Sequence, residues 1–333
     1  MKLDIRTTLA EPRRQTYAHL ARRFGEDRPA TRYEEAVMDL QPTVNFHYRP
    51  MAEPEFELFD VRRTGVVMSD WYKLLDPRQL YYATYTISRA AMEAANARSF
   101  ELGDKQGMFL ELTAEARAQV VTGILPMRHY EWGANLINWS ICDRGYGAAV
   151  TSAAAFVAMD RLGLAQVISK IGLAIDDQTG ASLIEAKKGW LEAPAWQGIR
   201  RATESILVTK DWFETLVAQD LVLDGIVYRL VFEDLRKVMK RSVGIILVTE
   251  MPAEVYTDDA RWVDATIRIA AAESSENKAL ISGWFATWRG RAVAAARPLA
   301  EHLLGHEADG VLARLVAELD MRAAKLGIAE VAS

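Results

Sequence analysis

From Asp76 to the C-terminus, apolar residues recur at the three- and four-residue spacing of an α-helix, in one long segment after another. The first segment starts at residues 76–79 (DPRQ), where Asp is placed to cap a helix, Pro takes the first helical position and Gln follows three residues after the cap. The pattern runs to Gly103, which is about 39 Å at 1.5 Å per residue. Long amphipathic helices bury their apolar stripes against each other, so residues 76–333 predict an all-α bundle.

The remaining segments continue this pattern. A second helix is expected from Thr113 to Cys142, with a kink at Pro126. The Gly- and Ala-rich residues 145–155 predict a closely packed central helix, and further helices are expected at about 198–222, 282–304 and 311–326. The apolar run at 243–248 is too short to assign from periodicity, and Pro252 is expected to end it.

The first 75 residues have a different character. Five prolines interrupt any helical period, and aromatic residues are scattered among charged ones. Such an arm should lie along a surface, and its apolar residues indicate that this surface belongs partly to another chain. Aromatic and Arg side chains are enriched in protein interfaces. The predicted interface residues are Tyr33, Asn45, Phe46, His47, Tyr48 and Arg49.

Composition excludes several classes of protein. A formal net charge of −5 and a pI near 5.7 speak against nucleic-acid binding, which needs a basic face. The N-terminal residues lack the apolar region of a secretory signal, and no stretch is expected to be apolar over the length of a bilayer. The sequence therefore predicts a cytoplasmic protein without a membrane segment. The single cysteine, Cys142, is expected to be a packed side chain.

The histidines constrain metal chemistry. A carboxylate-bridged two-metal bundle takes a Glu from each of two helices and a Glu-x-x-His pair from each of two others. None of the five histidines in this chain has a Glu or Asp three residues before it. His302 and His306 share a helix face but lack the Glu of an HExxH motif, and an exposed helix end is the expected reading. Gly145-x-Gly147 follows no strand, so close helix packing explains it better than dinucleotide binding.

One position resembles a metal site that has lost its ligand. Glu131 is followed three residues later by Ala134, where a metal-binding His would stand. A bundle without metal has to fill the ligand cavity with side chains. Ala134, Trp132 and Trp139 are the expected fillers on this helix.

Four sequence segments carry a family resemblance. Residues 30–36 (ATRYEEA) and 41–50 (QPTVNFHYRP) resemble the N-terminal arm of the β subunit of phenol hydroxylase, a bacterial multicomponent di-iron monooxygenase. Residues 76–85 (DPRQLYYATY) and 128–135 (RHYEWGAN) are similar to the first two long helices of that family. The resemblance covers essentially the whole chain. It implies a ferritin-like helical bundle with an irregular N-terminal arm (1–75) that packs on a partner subunit and a helical domain (76–333).

The resemblance also implies a role. The chain would be a non-catalytic structural subunit of an NADH-dependent phenol 2-monooxygenase acting on phenol or methylphenols, with no catalytic residue and no cofactor of its own. The implied partners are α and γ subunits, two of each with two copies of this chain, together with a regulatory protein and a reductase. The di-iron site would lie in the α subunit, and FAD and an iron–sulfur cluster in the reductase.

Three alternatives remain open from the sequence. The chain could be the β subunit of a toluene, alkene or methane monooxygenase, which shares the fold and role. It could be a free-standing di-iron enzyme such as a ribonucleotide reductase small subunit, although the missing Glu-x-x-His pairs argue against this. It could also be a structural helical protein unrelated to oxygenation. Substrate preference and regiospecificity depend on the partner's pocket.

Overall fold

A computed structural model describes residues 16–41, 49–51, 53–239 and 241–329. Within these ranges the chain is all-helical and contains no strand. The helices are α1 Ala18–Phe24, α2 Arg32–Val37, α3 Tyr82–Lys105, α4 Ala114–Gln119, α5 Met127–Arg144, α6 Ala148–Ile175, α7 Ala181–Glu192, α8 Pro194–Leu207, α9 Trp212–Leu216, α10 Asp224–Arg229, α11 Arg236–Val238, α12 Val243–Val248, α13 Glu250–Glu273, α14 Ser275–Leu304 and α15 Ala308–Lys325.

Three π-helical segments join the short helices into longer rods. Val120–Ile124 follows α4, and Val217–Leu223 and Leu230–Leu235 flank α10. The chain from Trp212 to Val238 therefore runs as one nearly continuous helix. A π segment widens a helix locally and is frequently found where side chains are re-aimed at a functional site.

The bundle is built on α6, the Gly/Ala-rich helix. α5 packs along its length, and α14 lies against α8 and against the rod that begins at Trp212. The shared core contains three fully buried tryptophans, Trp196, Trp212 and Trp262. The predicted all-α bundle of long helices is therefore observed.

Two predicted helix boundaries were wrong. Residues 76–79 form a turn, and α3 begins at Tyr82. The Asp76 carboxylate is occupied by Arg78, accepting from its backbone N–H at 2.9 Å and from its guanidinium at 3.0 Å, and Gln79 adopts φ 53°. Residues 198–222 form two helices, because Asp211 caps a new helix by accepting from the backbone N–H groups of Phe213 and Glu214.

The prediction that the central helix includes Gly145 to Gly147 was also wrong. These glycines form the tight connection between α5 and α6, where Gly147 has φ 89°. Thr113 caps α4, as the sequence indicates, and α5 starts directly after Pro126. The unassigned run 243–248 is the short helix α12, and Pro252 lies in the first turn of α13, where a missing N–H costs nothing.

Helix α6 corrects the expectation that no segment has the apolar length to cross a bilayer. By length and composition it qualifies, with a mean hydropathy of 1.3 over an 18-residue window, and it is the single such helix in the described part of the chain. More than half of that window, 56%, is buried inside the protein. The core helix of a globular bundle meets the same criteria, and α6 carries Asp160 and Arg161, which are buried in ion pairs with other helices of the bundle.

The described part of the first 75 residues is more ordered than its sequence indicates. Leu20, Tyr33 and Val37 pack against Tyr72 and Ala149, forming a small cluster on the end of α6. α2 begins with a reciprocal capping box between Thr31 and Glu34. These residues are therefore packed against the rest of their own chain by tertiary contacts, which sequence periodicity does not predict.

Candidate functional site

The polar centre of the bundle is a cluster around Arg161. This side chain projects from the middle of α6 and is 2% exposed. Its Nη1 donates to the Tyr228 hydroxyl at 2.8 Å and lies 3.5 Å from a Glu131 carboxylate oxygen. Its Nη2 donates to Asp224 and lies 3.3 Å from Asp220. One guanidinium therefore contacts three buried carboxylates that come from α5, the Val217–Leu223 π segment and α10.

Neutral side chains supply further hydrogen bonds to this cluster, and among the described residues the Arg161 Nε and Asp220 Oδ2 atoms remain without a partner. The Tyr228 hydroxyl donates to Glu131 and the Tyr130 hydroxyl donates to Asp224, both at 2.5 Å. The Gln219 amide donates to Asp224 at 3.0 Å, and the Asn138 amide donates to Asp220 at 3.0 Å. Burying a charge without such partners is strongly unfavourable, so the donors are a condition for keeping these carboxylates in the core.

Three ionised carboxylates around one guanidinium would give the cluster a net negative charge. Protonation of two of these carboxylates reduces that charge. Burial raises the pKa of Glu131 to about 7, against the opposing effect of Arg161. Burial and the neighbouring Asp224 raise the pKa of Asp220 to about 7 as well. Burial raises the pKa of Tyr130 and of Tyr228 well above 10, so both hydroxyls remain donors at physiological pH. The cluster therefore takes up protons near pH 7.

This titration predicts a pH dependence of stability. Because the pKa of Glu131 is raised in the folded protein from its ordinary value of 4.5, the folded state holds a proton that the unfolded state has lost between about pH 4.5 and 7. The free energy of unfolding should fall as pH rises through this window. Glu131→Gln should flatten the fall, measured as urea unfolding at pH 5, 6, 7 and 8. Glu185→Gln, at an exposed position on α7, is the matched control and should keep the wild-type slope.

A second buried ionic cluster adjoins the first. Asp160, next to Arg161 on α6, accepts from the Arg89 guanidinium at 2.8 Å and from the Tyr85 hydroxyl at 2.9 Å. Arg78 donates to Asp259 on α13 at 2.6 Å. These contacts tie the turn before α3 to α3, α6 and α13, so their role is to fix the arrangement of helices around the Arg161 cluster.

The residues of the Arg161 cluster do not fit a two-metal centre. Glu131 and Ala134 are both fully buried. The position where a metal-binding histidine would stand therefore faces the interior, but it carries only the methyl group of Ala134. The space among the carboxylates is taken by the Arg161 guanidinium, whose fixed positive charge opposes a metal cation. In the part of the chain that the structure describes, no group of three or more His, Cys, Asp or Glu residues is arranged to hold a metal.

Of the three residues predicted to fill the space of a lost metal site, only one is buried. Ala134 is buried, but Trp132 and Trp139 lie on the outer face of α5 and are 53% and 43% exposed. The interior is filled by Arg161 and by the tyrosines that contact the cluster. A signal for Arg161 was present in the sequence: Asp160 and Arg161 interrupt the apolar run of residues 153–165, where charges are costly unless paired.

The other candidates from the sequence lie apart from this cluster. His302 and His306 are exposed at the end of α14 and just beyond it. Burial raises the pKa of the Cys142 thiol to about 11, so the thiol stays protonated and unreactive at neutral pH.

The predicted interface residues divide into three groups. Tyr33 is buried in this chain's own small cluster, where its hydroxyl accepts from the Asp76 backbone N–H at 2.7 Å. Arg49 is half exposed and donates to Glu57 at 2.5 Å. Asn45, Phe46, His47 and Tyr48 lie outside the described residues.

Comparison with known proteins identifies the family of this helical bundle. Residues 53–274 match a family model described as methane/phenol/alkene hydroxylase. The chain is 41% identical over 307 residues to the phenol 2-monooxygenase oxygenase component DmpL of Pseudomonas sp. strain CF600, covering 92% of each protein. It is also 41% identical over 330 residues to the corresponding component MhpL of Acinetobacter pittii, covering 98% of each.

A solved structure shares the fold as a whole. The phenol hydroxylase from Pseudomonas sp. OX1 contains a chain that superposes with a TM-score of 0.92 at 37% identity, covering 97% of this chain and 98% of that one. The bundle is therefore of the ferritin-like type found in these hydroxylases.

Proposed function

This chain belongs to the methane/phenol/alkene hydroxylase family, and we propose that it is the non-catalytic β subunit of the hydroxylase component of a phenol 2-monooxygenase. The complex would insert one oxygen atom of O2 into the ring of phenol or a methylphenol. The near-complete coverage of two phenol 2-monooxygenase components at 41% identity supports this substrate class.

The observation that carries the non-catalytic role is the guanidinium of Arg161 among Glu131, Asp220 and Asp224. A buried ion pair whose carboxylates accept further hydrogen bonds can join helices without any metal. Arg161 thus supplies the positive charge that a metal would otherwise bring to buried carboxylates. The role of this cluster would be to hold the bundle together rather than to activate oxygen.

The rest of the system then lies on other chains. The di-iron centre would be in the α subunit, and α, γ and this chain would assemble in two copies each. A regulatory protein and a reductase carrying FAD and an iron–sulfur cluster would act on the assembled hydroxylase, with NADH as the electron source. All of these would be cytoplasmic.

The N-terminal arm is the proposed partner contact. Residues 42–51 include Asn45, Phe46, His47, Tyr48 and Arg49, and the Arg49 side chain is 51% exposed on this chain alone. Tyr33 is left out of this interface because its burial is complete without a partner. Deleting residues 42–48 should weaken retention of the iron-bearing subunit, while circular dichroism of this chain should still show the helical bundle of residues 82–325.

The function is tested by activity of the assembled hydroxylase. Glu131→Gln and Asp220→Asn remove buried carboxylates that would be indispensable if this chain carried a di-iron site. We expect phenol turnover per assembled complex to stay within roughly twofold of wild type, because these groups touch neither substrate nor iron. A glutamate of a Glu-x-x-His motif in the iron-bearing subunit, replaced by Gln, is the matched control and should abolish turnover. A comparable loss from either variant of this chain would overturn the proposal.

A further inference from the structure

A groove runs along the outer surface of the bundle between α5, α6 and α7. Its volume is about 650 Å³, and Trp132, Leu162 and Leu173 line it. Trp132 is 53% exposed and Leu162 40% exposed, so apolar surface in the groove faces solvent on this chain alone. Its size is suitable for one or two side chains of another polypeptide.

The groove opens onto an apolar stripe of α5. Trp132, Leu136 and Trp139 follow each other at spacings of four and three residues and lie on one helix face. Leu136 and Trp139 are 39% and 43% exposed. The stripe is about 10 Å long at 1.5 Å per residue. Grouped exposed aromatic and aliphatic side chains of this kind are characteristic of protein–protein interfaces.

The charge of the groove is opposite to that of the chain as a whole. Of the described residues that line it, Arg128, Lys170 and Lys187 are cations and none is a carboxylate, whereas the formal net charge of the chain is −5. Arg128 and Lys187 have no ion-pair partner within the described ranges, and Lys170 lies over the Phe100 ring at 4.2 Å. Burial, and to a smaller extent the charges of Arg128 and Lys187, lower the pKa of the adjacent His129 to about 4.

We propose that this groove docks an acidic segment of another hydroxylase subunit. An apolar side chain of that segment lies against Trp132 and Leu162, and its carboxylates pair with Arg128, Lys170 and Lys187. The proposal rests on the proposed function, because it takes the partner to be a subunit of the same hydroxylase.

Charge and the apolar lining together select this occupant over four others. In a two-fold symmetric contact, a second copy of this chain would bring the same cationic groove to the interface, so like charges would face each other. Residues 1–15 of this chain contain four basic and two acidic residues, which gives them the wrong sign. Nucleic acid or a small anion would use the cations but leave the apolar lining exposed.

The first measurement is chemical modification of the groove lysines in the assembled hydroxylase, by cross-linking and by acetylation. A zero-length carbodiimide joins an amine to a carboxylate that it contacts, and peptide mass spectrometry identifies the product. We expect Lys187 or Lys170 to be cross-linked to an Asp or Glu of another hydroxylase subunit. We also expect both lysines to react with an acetylating reagent more slowly in the complex than in the free chain.

The second measurement is assembly of a charge-reversed chain. Arg128→Glu, Lys170→Glu and Lys187→Glu combined should weaken assembly by about tenfold or more and reduce its dependence on NaCl concentration. Lys105→Glu, Arg268→Glu and Lys278→Glu, exposed cations on α3, α13 and α14 without an ion pair in the described structure, are the matched control and should assemble like wild type. Circular dichroism checks folding, and Trp132→Ser, at a half-exposed position, should weaken assembly independently of charge.

The outcomes separate this inference from the proposed function. Wild-type affinity of the charge-reversed chain, together with equal acetylation of Lys170 and Lys187 in the free and assembled states, would overturn the groove assignment alone. Protection of these lysines by inorganic phosphate without a cross-link to another subunit would overturn it too, since the groove would then be an anion site. Failure of the wild-type chain to assemble with any hydroxylase subunit would overturn both.

Discussion

Arg161→Met should destabilise the protein by about 3–5 kcal/mol, the cost measured when one partner of a buried ion pair is removed and the others stay charged. In this chain Glu131, Asp220 and Asp224 are all buried and would lose their common cation. The measurement is the free energy of unfolding from urea titration at pH 7.5. The loss should be smaller at pH 5, where the carboxylates can be protonated.

The control for this prediction is an Arg of the same type on the surface. Arg200 pairs with Glu204 one turn away on α8, and both are solvent-accessible, so Arg200→Met should change stability by less than about 0.5 kcal/mol. Adding Glu131→Gln and Asp220→Asn to Arg161→Met should recover part of the loss, because fewer buried charges remain unpaired. A variant of Arg161 as stable as wild type would mean that the carboxylates are already neutral in the native protein.

Gly198→Ala should cost up to about 3 kcal/mol, the upper end of what overpacking costs. Gly198 lies where α8 crosses α14, and a Cβ atom there would be 2.4 Å from the Ala295 carbonyl oxygen and 2.9 Å from its Cα. These are backbone atoms, so the helices would have to move apart. The change is measured as a shift in the urea midpoint at constant slope.

Gly290→Ala on α14 is the matched control, because no atom lies within 4 Å of the added methyl group. It should stabilise the protein by about 0.5–1 kcal/mol through the higher helix propensity of Ala. Equal effects of the two substitutions, in either direction, would show that α8 and α14 are less closely packed than the structure has them.

The sequence predicted the helices better than their ends. Periodicity located the long helices because burial of one face imposes a 3.6-residue repeat. The turn at Asp76 was missed because Arg78 competes for the carboxylate that would have capped the helix. The break before Trp212 was missed because apolar residues stand on both sides of residues 209–211, and the Asp211 cap is only a local signal between them.

Of the candidate site, the sequence predicted only the contribution of α5. The spacing of Glu131 and Ala134 identified the right helix face, since an i, i+3 pair lies on one side of a helix. Nothing in that spacing indicated that Arg161, 30 residues further along the chain, would enter the same space. Pairing of buried charges across helices is a tertiary property, and in this chain its sequence signal is limited to charges placed inside apolar runs, such as Asp160–Arg161 and Asp220.

Iron anomalous scattering from crystals of the assembled hydroxylase tests the central claim most directly. The account predicts a pair of iron peaks in a partner subunit and no peak in the bundle of this chain, where the Arg161 guanidinium pairs with Glu131, Asp220 and Asp224. An iron peak coordinated by any of these three carboxylates, with Arg161 displaced from them, would contradict it.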